Sequence, residues 1–505
     1  MTTPQVPNSA WLGGVAAVSD SDVWAVGGYR NWTTQSTLFE HWDGMGWTVL
    51  LGPSTQADVD LRGVDAASAT DIWAVGLSSA SPGYPAIVHW DGTAWSLVPS
   101  PQIAGGSLQD VAALSSTDAW AVGYTGSLEA LIEHWDGRAW SRVPISIAGP
   151  LYGIDAVGPN DVWAVGRRIS DTTTAQPRGA LVEHWDGSAW SVVPTTGGND
   201  YSSLEDVAAV SATVVRSVGM GSDGVDGPYG TGGDSGIFGR WDGSSFALTP
   251  VSRWSRVVGA SGAGDVWARG PTLPGHWDGT TWSEVPLTYG PVGDFYGLDV
   301  TPSGNFWAVG ANGGNRGVVT RLCPVRASDA GFSPTSASVA FQGSNVAWSF
   351  PKTNTQPHSV TDASALGLFD SGLRPPGSSF TTTLIAAGNY AVRDTATGNT
   401  STIKIPLKVK PTCPCSSPTP TSDPIPSSYA LTWASETPPP GYAIDVQIKR
   451  PGTSTYVYWQ KRTRQADGAF VPDAGPGTYS FRARYRNLSN WSASGWSSAV
   501  TITVS

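Results

Sequence analysis

The stretch Asp22-Val23-Trp24-Ala25-Val26-Gly27 decides the fold of the first part of the chain because it returns at regular intervals. Close copies begin at Asp71, Asp118, Asp161, Asp265 and Asn305, and a weaker copy surrounds Val215. The tryptophan position of successive copies (24, 73, 120, 163, 215, 267 and 307) advances by 40 to 52 residues. Self-similarity at this period indicates a solenoid, a propeller or an array of small units.

A second phrase follows each copy of the first, as in Glu133-His134-Trp135-Asp136-Gly137. Its Asp-Gly pair predicts a tight hairpin turn, since glycine accepts a positive φ and aspartate tolerates the neighbouring turn position. Each repeat of about 45 residues therefore reads as four short antiparallel strands, which cannot bury both faces alone but can when stacked around an axis. Seven copies predict an all-β, seven-bladed β-propeller.

The recurring side chains have structural interpretations. We expect the repeated tryptophan to pack between neighbouring blades and the leading aspartate to cap the turn between the first and second strands. Five histidines occupy one repeated position, at His41, His89, His134, His184 and His276. That position lies on the third strand, roughly 10 Å outward from the axis-lining strand. The histidines cannot converge on one metal ion there, and we expect structural hydrogen bonds instead.

Loop lengths point to one face of the disc as the binding surface. Connections between the second and third strands, and between blades, vary in length, and antiparallel geometry places both on the same face. Variable loops on a rigid scaffold commonly carry function. The aromatic residues predicted on this face, as ligand contacts or as loop packing, are Tyr29, Trp32, Tyr84, Tyr124, Tyr201, Tyr229, Tyr289 and Phe295.

Bulk properties exclude several classes of function. The chain of 505 residues has a formal net charge of −11, which argues against nucleic-acid binding because that requires a basic surface. No apolar run is long enough for a membrane span. The start, Met1 to Pro7, lacks a signal-peptide pattern, so we expect either a cytoplasmic chain or one whose leader is not present in this sequence.

The ring is incomplete in sequence. The seventh repeat reaches Leu322 without its Asp-Gly turn or fourth strand. We expect the missing strand to come from Met1 to Ser9, although this segment leaves little length for it.

Over residues 8–322 these tandem phrases resemble kelch-like and galactose-oxidase-like propellers. Copper-radical oxidases of that fold need a cysteine cross-linked to a tyrosine within the propeller. The first cysteine here is Cys323, so the resemblance excludes that chemistry, and no cofactor is expected.

Residues 325–410 resemble a plastocyanin-like cupredoxin through Phe332, Trp348, the stretch Pro357-His358-Ser359-Val360-Thr361 and Ala387-Gly388-Asn389-Tyr390. The resemblance places His358 at the first copper ligand. The family's remaining ligands should follow Tyr390, where this chain has no Cys, His or Met before position 400. We therefore expect a β-sandwich without copper, and no metal site.

Residues 411–426 form a Pro/Ser/Thr-rich linker that is expected to be extended. Residues 427–505 resemble a fibronectin type III domain through Trp433, the alternating stretch Tyr442 to Ile448 and the stretch Gly477 to Asn487. Strand alternation puts Arg482, Arg484 and Arg486 on one face, which we interpret as solvated. The predicted domains are thus 1–324 (propeller), 325–410 (cupredoxin-like), 411–426 (linker) and 427–505 (fibronectin-like). The pairing of Cys323, Cys413 and Cys415 is left open, as is the oligomeric state.

The modular all-β build and the absence of a catalytic constellation favour a secreted or cell-surface binding or adhesion protein, with a glycan or a cell-surface protein as its partner. Two alternatives remain. One is a structural envelope or fibre component. The other is an enzyme such as a glycosidase or polysaccharide lyase, for which Asp200, Glu205 and Asp294 are the candidate acids, since glycoside hydrolysis needs two facing carboxylates.

Overall fold

A computed structural model provides the coordinates. It describes residues 9–30, 35–44, 47–50, 52–53, 59–78, 82–145, 149–169, 179–198, 200, 202–221, 235–251, 255–269, 274–277, 279, 282–284, 294–301, 305–311, 317–333, 336–338, 344–350, 354–412 and 428–504. The chain divides into two compact units, Met1–Arg321 and Leu322–Ser505. The regular elements of the described residues are all β-strands. None of these residues forms a helix long and apolar enough to cross a membrane.

In the first unit the described strands form seven successive sheets, in which consecutive strands of the chain are neighbours. The first sheet is β1 (Ser9–Ser19), β2 (Asp22–Arg30), β3 (Gln35–Trp42) and β4 (Trp47–Leu50); the second is β5 (Val59–Ser68), β6 (Asp71–Ser78), β7 (Pro85–Trp90) and β8 (Trp95–Val98). The third is β9 (Ser107–Ser115), β10 (Asp118–Tyr124), β11 (Ala130–Trp135) and β12 (Trp140–Arg142); the fourth is β13 (Leu151–Gly158), β14 (Asp161–Arg168), β15 (Gly179–Trp185) and β16 (Trp190–Val192).

The remaining sheets of this unit keep the same order. The fifth is β18 (Ser203–Ser211), β19 (Val214–Gly221), β20 (Ser235–Trp241) and β21 (Phe246–Val251), with the short parallel β17 (Thr195–Thr196) beside β21. The sixth is β22 (Val258–Gly262), β23 (Asp265–Arg269), β24 (Pro274–Trp277) and β25 (Trp282–Glu284). The seventh contains β26 (Asp294–Val300), β27 (Phe306–Ala311) and β28 (Gly317–Ser328).

The first strands of these sheets stand side by side around an axis. Each contacts the first strand of the next sheet, in the order β1, β5, β9, β13, β18, β22 and β26, and β26 contacts β1 again. They therefore enclose a central channel. A closed ring of four-stranded antiparallel sheets is a β-propeller, so the prediction of that architecture is confirmed.

The repeated tryptophans pack between adjacent sheets, as predicted. Trp24 is 2% exposed and lies 4.8 Å from Trp90 and 5.6 Å from Trp95 of the next sheet, between ring centroids. Trp163 in the fourth sheet lies 5.1 Å from Trp241 of the fifth. Large buried aromatic surfaces of this kind contribute most of the packing energy between sheets.

The leading aspartates do something other than predicted. In five sheets the aspartate Oδ1 binds the repeated histidine Nε2 across the sheet, at 2.7 to 2.9 Å, as in Asp118 with His134. In each of these sheets the imidazole also lies against the ring of the repeated tryptophan. In the third sheet the ring centroids of His134 and Trp120 are 4.1 Å apart. The histidines thus make the structural hydrogen bonds that were expected. The turn is capped instead by a preceding serine, since Ser115 Oγ accepts the N–H of Thr117.

The Asp-Gly turns are as predicted. Asp186 Oδ1 accepts the N–H groups of Ser188 and Ala189, and Gly187 has a φ of 92°. These bonds, and first the one from the Ser188 hydroxyl, lower the pKa of Asp186 to about 2. The same geometry recurs at Asp91 and Asp136.

The predicted closing strand from Met1 to Ser9 falls almost wholly outside the described residues, of which Ser9 is the first. Strand β28 runs across the unit boundary, and its residues Cys323–Arg326 pair in parallel with β31 (Ser344–Ser349). Cys413 and Cys415 also lie outside the described residues, so the structure does not test their pairing.

The second unit contains four groups of strands. One joins β28 to β29 (Gly331–Ser333), β31 and β33 (Ser379–Leu384); another is ordered β30 (Ser336–Ser338), β35 (Thr400–Ile405), β34 (Gly388–Arg393) and β32 (Thr361–Asp362). A third is ordered β36 (Lys408–Thr412), β37 (Ser428–Thr432) and β40 (Asp467–Phe470); the fourth is ordered β39 (Val457–Thr463), β38 (Tyr442–Lys449), β41 (Gly477–Asn487) and β42 (Val500–Val504).

One continuous apolar core, from Val325 to Ile502, joins these groups. The predicted linker begins inside β36, whose Pro411 pairs with Tyr429; the rest of it, residues 413–426, lies outside the described residues.

Candidate functional site

A β-bulge interrupts the first strand of most propeller sheets at one equivalent position. The pairing with the second strand skips one residue there, for example between Leu61 and Gly63 or between Leu151 and Gly153. A bulged residue has no ladder partner, and bulges re-aim side chains next to functional sites. The skipped residues are Gly13, Arg62, Gln109, Tyr152, Glu205 and Tyr296, and Arg256 holds the corresponding position before β22. We call these seven positions the bulge ring.

All seven positions of the bulge ring line a single cavity of about 360 Å³, together with Trp11, Asp60 and Leu61. The bulges lie near the start of each first strand, where the connection from the preceding sheet arrives. The cavity is therefore the mouth of the channel on the face that carries the variable connections. Its volume is within the range of small-molecule sites, roughly 300–1,000 Å³.

The residue type differs from sheet to sheet within the bulge ring, whereas the residues immediately before and after the ring position recur. The residue before it is leucine in five sheets, as in Leu61 and Leu151, and the residue after it is Gly or Asp in six. The ring itself holds glycine, arginine, glutamine, tyrosine and glutamate. Packing between sheets places the same demand on every sheet, so it does not account for this variation.

Hydrogen bonds hold one side of the mouth in place. The Trp11 indole N–H donates to Asp60 Oδ1 at 3.2 Å, and Arg62 lies 3.8 Å from the other oxygen of Asp60. Arg62 also donates to Gln109 Oε1 at 2.8 Å. The Gln109 amide in turn donates to Ser107 Oγ at 2.8 Å. These contacts link three sheets and hold the side chains of Arg62 and Gln109 in place without a ligand.

The other side of the mouth carries the tyrosines and a carboxylate. Tyr296 is 38% exposed. Tyr152 is half-buried and meets Tyr124 edge to face at 6.3 Å. Burial raises the pKa of Tyr152 to about 12, so its hydroxyl stays neutral near pH 7. Glu205 accepts a hydrogen bond from Ser203 Oγ at 2.8 Å.

Below the mouth, five aspartates line the channel and join adjacent sheets. Asp155 shows the pattern: its Oδ1 accepts the N–H of Ala156 in its own strand, and its Oδ2 accepts the N–H of Ala209 in the next sheet at 2.7 Å. The same pair of bonds is made by Asp65, Asp110, Asp206 and Asp299. Adjacent strands come close here, since a Cβ at Gly63 would lie 2.6 Å from the Cα of Asp110.

Burial raises the pKa of all five channel aspartates, and the charges of neighbouring channel aspartates raise several of them further. The pKa of Asp110 and of Asp299 rises to about 7, and that of Asp155 to about 8, while the backbone N–H bonds act in the opposite direction. Among the described residues, no group of three or more His, Cys, Asp or Glu side chains could hold a metal ion.

The residues predicted from loop variation have mixed positions. Tyr29, Tyr84 and Tyr124 are partly exposed on the expected face. Phe295 is 3% exposed and packs at the repeated leucine position, so its predicted contact with ligand is corrected. Its neighbour Tyr296 faces the cavity instead. Trp32, Tyr201, Tyr229 and Tyr289 lie outside the described residues.

The acids considered for catalysis are not brought together as a group. Glu205 belongs to the bulge ring. Asp200 is exposed before β18, and Asp294 begins β26. Asp200 does not line the cavity at the mouth, and the side chain of Asp294 lies outside the described part of the structure.

His358, at the position of a cupredoxin copper ligand, is fully buried and engaged at both ring nitrogens. Its Nδ1 lies 2.7 Å from Asp394 Oδ2, and its Nε2 lies 2.8 Å from Asp329 Oδ1. Burial alone would lower the pKa of His358, but the two carboxylates raise it above its usual value overall. The imidazole therefore joins two carboxylates and has no nitrogen left for a metal.

No family model and no curated protein matches the chain. Among solved structures, "YCF48 bound to D1 peptide" is similar at 16% identity over 63% of this chain and 93% of that chain, with a TM-score of 0.43. The β-propeller domain of the Trilobed protease from Pyrococcus furiosus is similar at 10% identity over 62% and 95%, with a TM-score of 0.41. The six-bladed β-propeller lectin of Aleuria aurantia is similar at 11% identity over 75% and 99%, with a TM-score of 0.35. These similarities are too distant to support a function.

Proposed function

We propose that this protein is a non-catalytic saccharide-binding protein whose propeller holds a sugar unit at the channel mouth. The observation that supports this most directly is that one cavity is lined by all seven positions of the bulge ring, which vary within an otherwise repeated strand. The cavity suits one or two sugar units better than a protein surface, because it is small and concave.

The chemistry of the mouth supports a saccharide. The rings of Trp11, Tyr152 and Tyr296 offer apolar faces with polar tips, and such side chains combine stacking with hydrogen bonding. Arg62, Gln109 and Glu205 supply planar groups able to donate to or accept from neighbouring hydroxyls. The two carboxylates at the mouth, Asp60 and Glu205, are held by Trp11 and Ser203 respectively.

We further propose the finer organisation of the chain: seven propeller blades, then a cupredoxin-like and a fibronectin type III-like sandwich. The strand orders β36-β37-β40 and β39-β38-β41-β42 support the second sandwich, since two antiparallel sheets of three and four strands are typical of such domains. The modular build and the Pro-rich segment support a secreted or cell-surface location.

A glycan array probed with the full chain tests this function. We expect binding to a restricted set of glycans, and a loss of about tenfold in the Tyr296→Ala variant, since a stacked aromatic contributes roughly 0.5–1.5 kcal/mol in addition to its buried area. Arg62→Gln should weaken binding as well.

The matched control is Arg138→Gln, which removes an exposed cation from the Asp-Gly turn on the opposite face of the propeller. Specific binding that survives Tyr296→Ala and Arg62→Gln would place the site elsewhere. Hydrolysis of the bound glycan during incubation would contradict a non-catalytic role, and a blank array would exclude the saccharide.

A further inference from the structure

A second charged surface lies in the second unit, on the sheet formed by β39, β38, β41 and β42. Six cationic side chains there interleave with aromatic rings, and we call this set the cationic ladder. Its cations are Lys449, Lys461, Arg462, Arg482, Arg484 and Arg486, and its rings are Tyr456, Tyr458, Trp491 and Trp496.

The ladder is built by close stacking. The Arg482 guanidinium carbon lies 4.0 Å from the centre of the Tyr456 ring and 4.8 Å from that of Trp496. Arg484 lies 4.4 Å from the same Trp496 ring. Guanidinium groups at these distances gain cation–π attraction, and the stacking fixes long side chains that a solvated face would leave free. The prediction that this arginine face is ordinary and solvated is therefore wrong.

One carboxylate anchors the ladder from beneath. Asp445 Oδ2 accepts hydrogen bonds from Arg484 at 3.0 Å and from Arg486 at 2.9 Å, and its side chain is 2% exposed. Arg482 donates to Gln447 Oε1 rather than to an acid. The ladder thus has six cations and one anion, a local surplus of five positive charges in a chain whose net charge is −11.

Backbone strain occurs at the same place. Four non-glycine residues among those described have a positive φ, and two of them are Arg462 at 55° and Trp491 at 64°. These two stack on one another at 4.6 Å, and Trp491 is 55% exposed. Non-glycine residues in this conformation cost of order 1 kcal/mol or more and cluster at functional sites. Strain of this kind in an exposed pair favours a role in recognition over one in packing.

We propose that the cationic ladder binds a linear anionic polysaccharide. Side chains two residues apart on one strand repeat at about 6–7 Å, so Arg482, Arg484 and Arg486 form a row that matches repeated charges along a polymer better than one compact anion. Arginine recognises carboxylate and sulfate groups through paired hydrogen bonds.

Single-stranded nucleic acid is the rival polyanion, because it binds where bases stack on aromatic rings. Two of the four ladder rings already have two cations each at their faces. Trp496 has Arg482 and Arg484 at its ring, and Tyr456 has Arg482 and Lys449. Cations at these two rings leave less ring surface for base stacking, which favours the polysaccharide.

Binding of the full chain to immobilised polygalacturonate, chondroitin sulfate, neutral dextran and oligo(dT) tests this proposal. We expect binding to a polyanionic polysaccharide at about 50 mM salt that weakens at about 300 mM, because exposed charges are screened, and none to dextran. The polygalacturonate and chondroitin sulfate arms distinguish a carboxylated from a sulfated ligand.

The variant Lys449→Gln/Lys461→Gln/Arg462→Gln should lose about tenfold or more in affinity. It leaves in place the side chains of Arg484 and Arg486 and the Arg462 backbone N–H, all of which bind Asp445. The matched control, Arg138→Gln/Arg393→Gln/Lys404→Gln, removes three exposed cations elsewhere and should bind normally, as should Tyr296→Ala at the channel mouth. Absent binding to both polyanionic polysaccharides, equal losses in the two triple variants, or tighter binding of oligo(dT) would each overturn the proposal.

Discussion

The two faces of the propeller are built by the same strands, but one face repeats the same side chains in most sheets and the other does not. On the face of the Asp-Gly turns, an aspartate, a histidine and a tryptophan repeat one arrangement in five sheets, with Asp–His distances of 2.7 to 2.9 Å. At the channel mouth, the bulge ring shows no such repetition. Repetition indicates a packing requirement shared by every sheet. The bulge ring is free of that requirement, and its variation is the basis of the ligand site that we propose there.

The largest loss of stability should come from a substitution of one of the side chains that repeat in most sheets. Trp163→Ala removes a side chain that is 1% exposed and in contact with Trp241 and His184, and we expect the free energy of unfolding to fall by about 3–5 kcal/mol. Tyr152→Ala in the same sheet should cost about 1 kcal/mol or less, because its ring is half-exposed at the mouth. Denaturant unfolding followed by circular dichroism compares the two. Equal losses of unfolding free energy in the two variants would contradict the idea that the repeated side chains serve packing and the mouth does not.

The channel aspartates, between the two faces, should make stability depend on pH. An unfolded aspartate has a pKa of about 3.9, whereas burial raises the pKa of Asp155 to about 8. Between these values the folded state binds more protons than the unfolded state, so the free energy of unfolding falls as pH rises. Asp155→Asn should reduce this slope between about pH 5 and pH 8, while costing about 1–2 kcal/mol at pH 5 through a lost acceptor. An unchanged slope in calorimetry would contradict the assignment.

A smaller effect is expected at the turns of the repeated face. Gly187→Ala places a side chain at a φ of 92°, with its Cβ 2.5 Å from Asn160 Oδ1, and should destabilise by about 1–2 kcal/mol. At Gly158 in the same sheet, a Cβ would have no atom within 4 Å, and φ is not positive. Gly158→Ala is therefore the control and should be close to neutral in thermal unfolding.

The smallest effect on stability should come from the bulge ring. Arg62→Gln removes contacts with Asp60 and Gln109 at a partly exposed site, and should change the free energy of unfolding by about 0.5 kcal/mol or less. The same variant should weaken glycan binding. A large loss of stability without a loss of binding would show that the ring serves packing after all.

The sequence predicted those parts of the fold that recur. Trp120 and Gly137 stand at fixed offsets in nearly every repeat, so interleaved packing and hairpin turns could be inferred without a structure. The pairing of Asp118 with His134 could not, because it depends on the cross-strand register that puts His134 directly opposite Trp120. Aspartate is also a common turn-capping residue, which made the local interpretation reasonable.

The bulge ring escaped sequence analysis for a related reason. A bulge shifts one residue relative to its partner strand, and that offset is not visible in the alternation of a single strand. A signal was nevertheless present, since Leu61-Arg62-Gly63 and Leu151-Tyr152-Gly153 align and differ only at the middle position. The same alignment puts Phe295 at the leucine position, which explains its burial. Loop length alone does not locate the bulge ring, because the bulges lie inside the first strands and not in the loops.

Because of the channel aspartates, some pairs of adjacent sheets in the propeller are joined by more hydrogen bonds than others. We call each contact between adjacent sheets a joint. Asp299 fastens the seventh sheet to Ala17 of the first, and Asp206 fastens the fifth to Val258 of the sixth. The positions aligned with Asp299 and Asp206 hold Gly259 and Val257 in the sixth sheet and Ala16 and Gly14 in the first sheet, none of which has a side-chain acceptor. A ring with joints of different strength has an order of disassembly. The first and second sheets are joined by the hydrogen bond from Trp11 to Asp60 instead, so the ring should part first between its sixth and seventh sheets. Faster amide exchange along β22 and β26 than along β13 and β18 would mark that joint as the place where the circle opens.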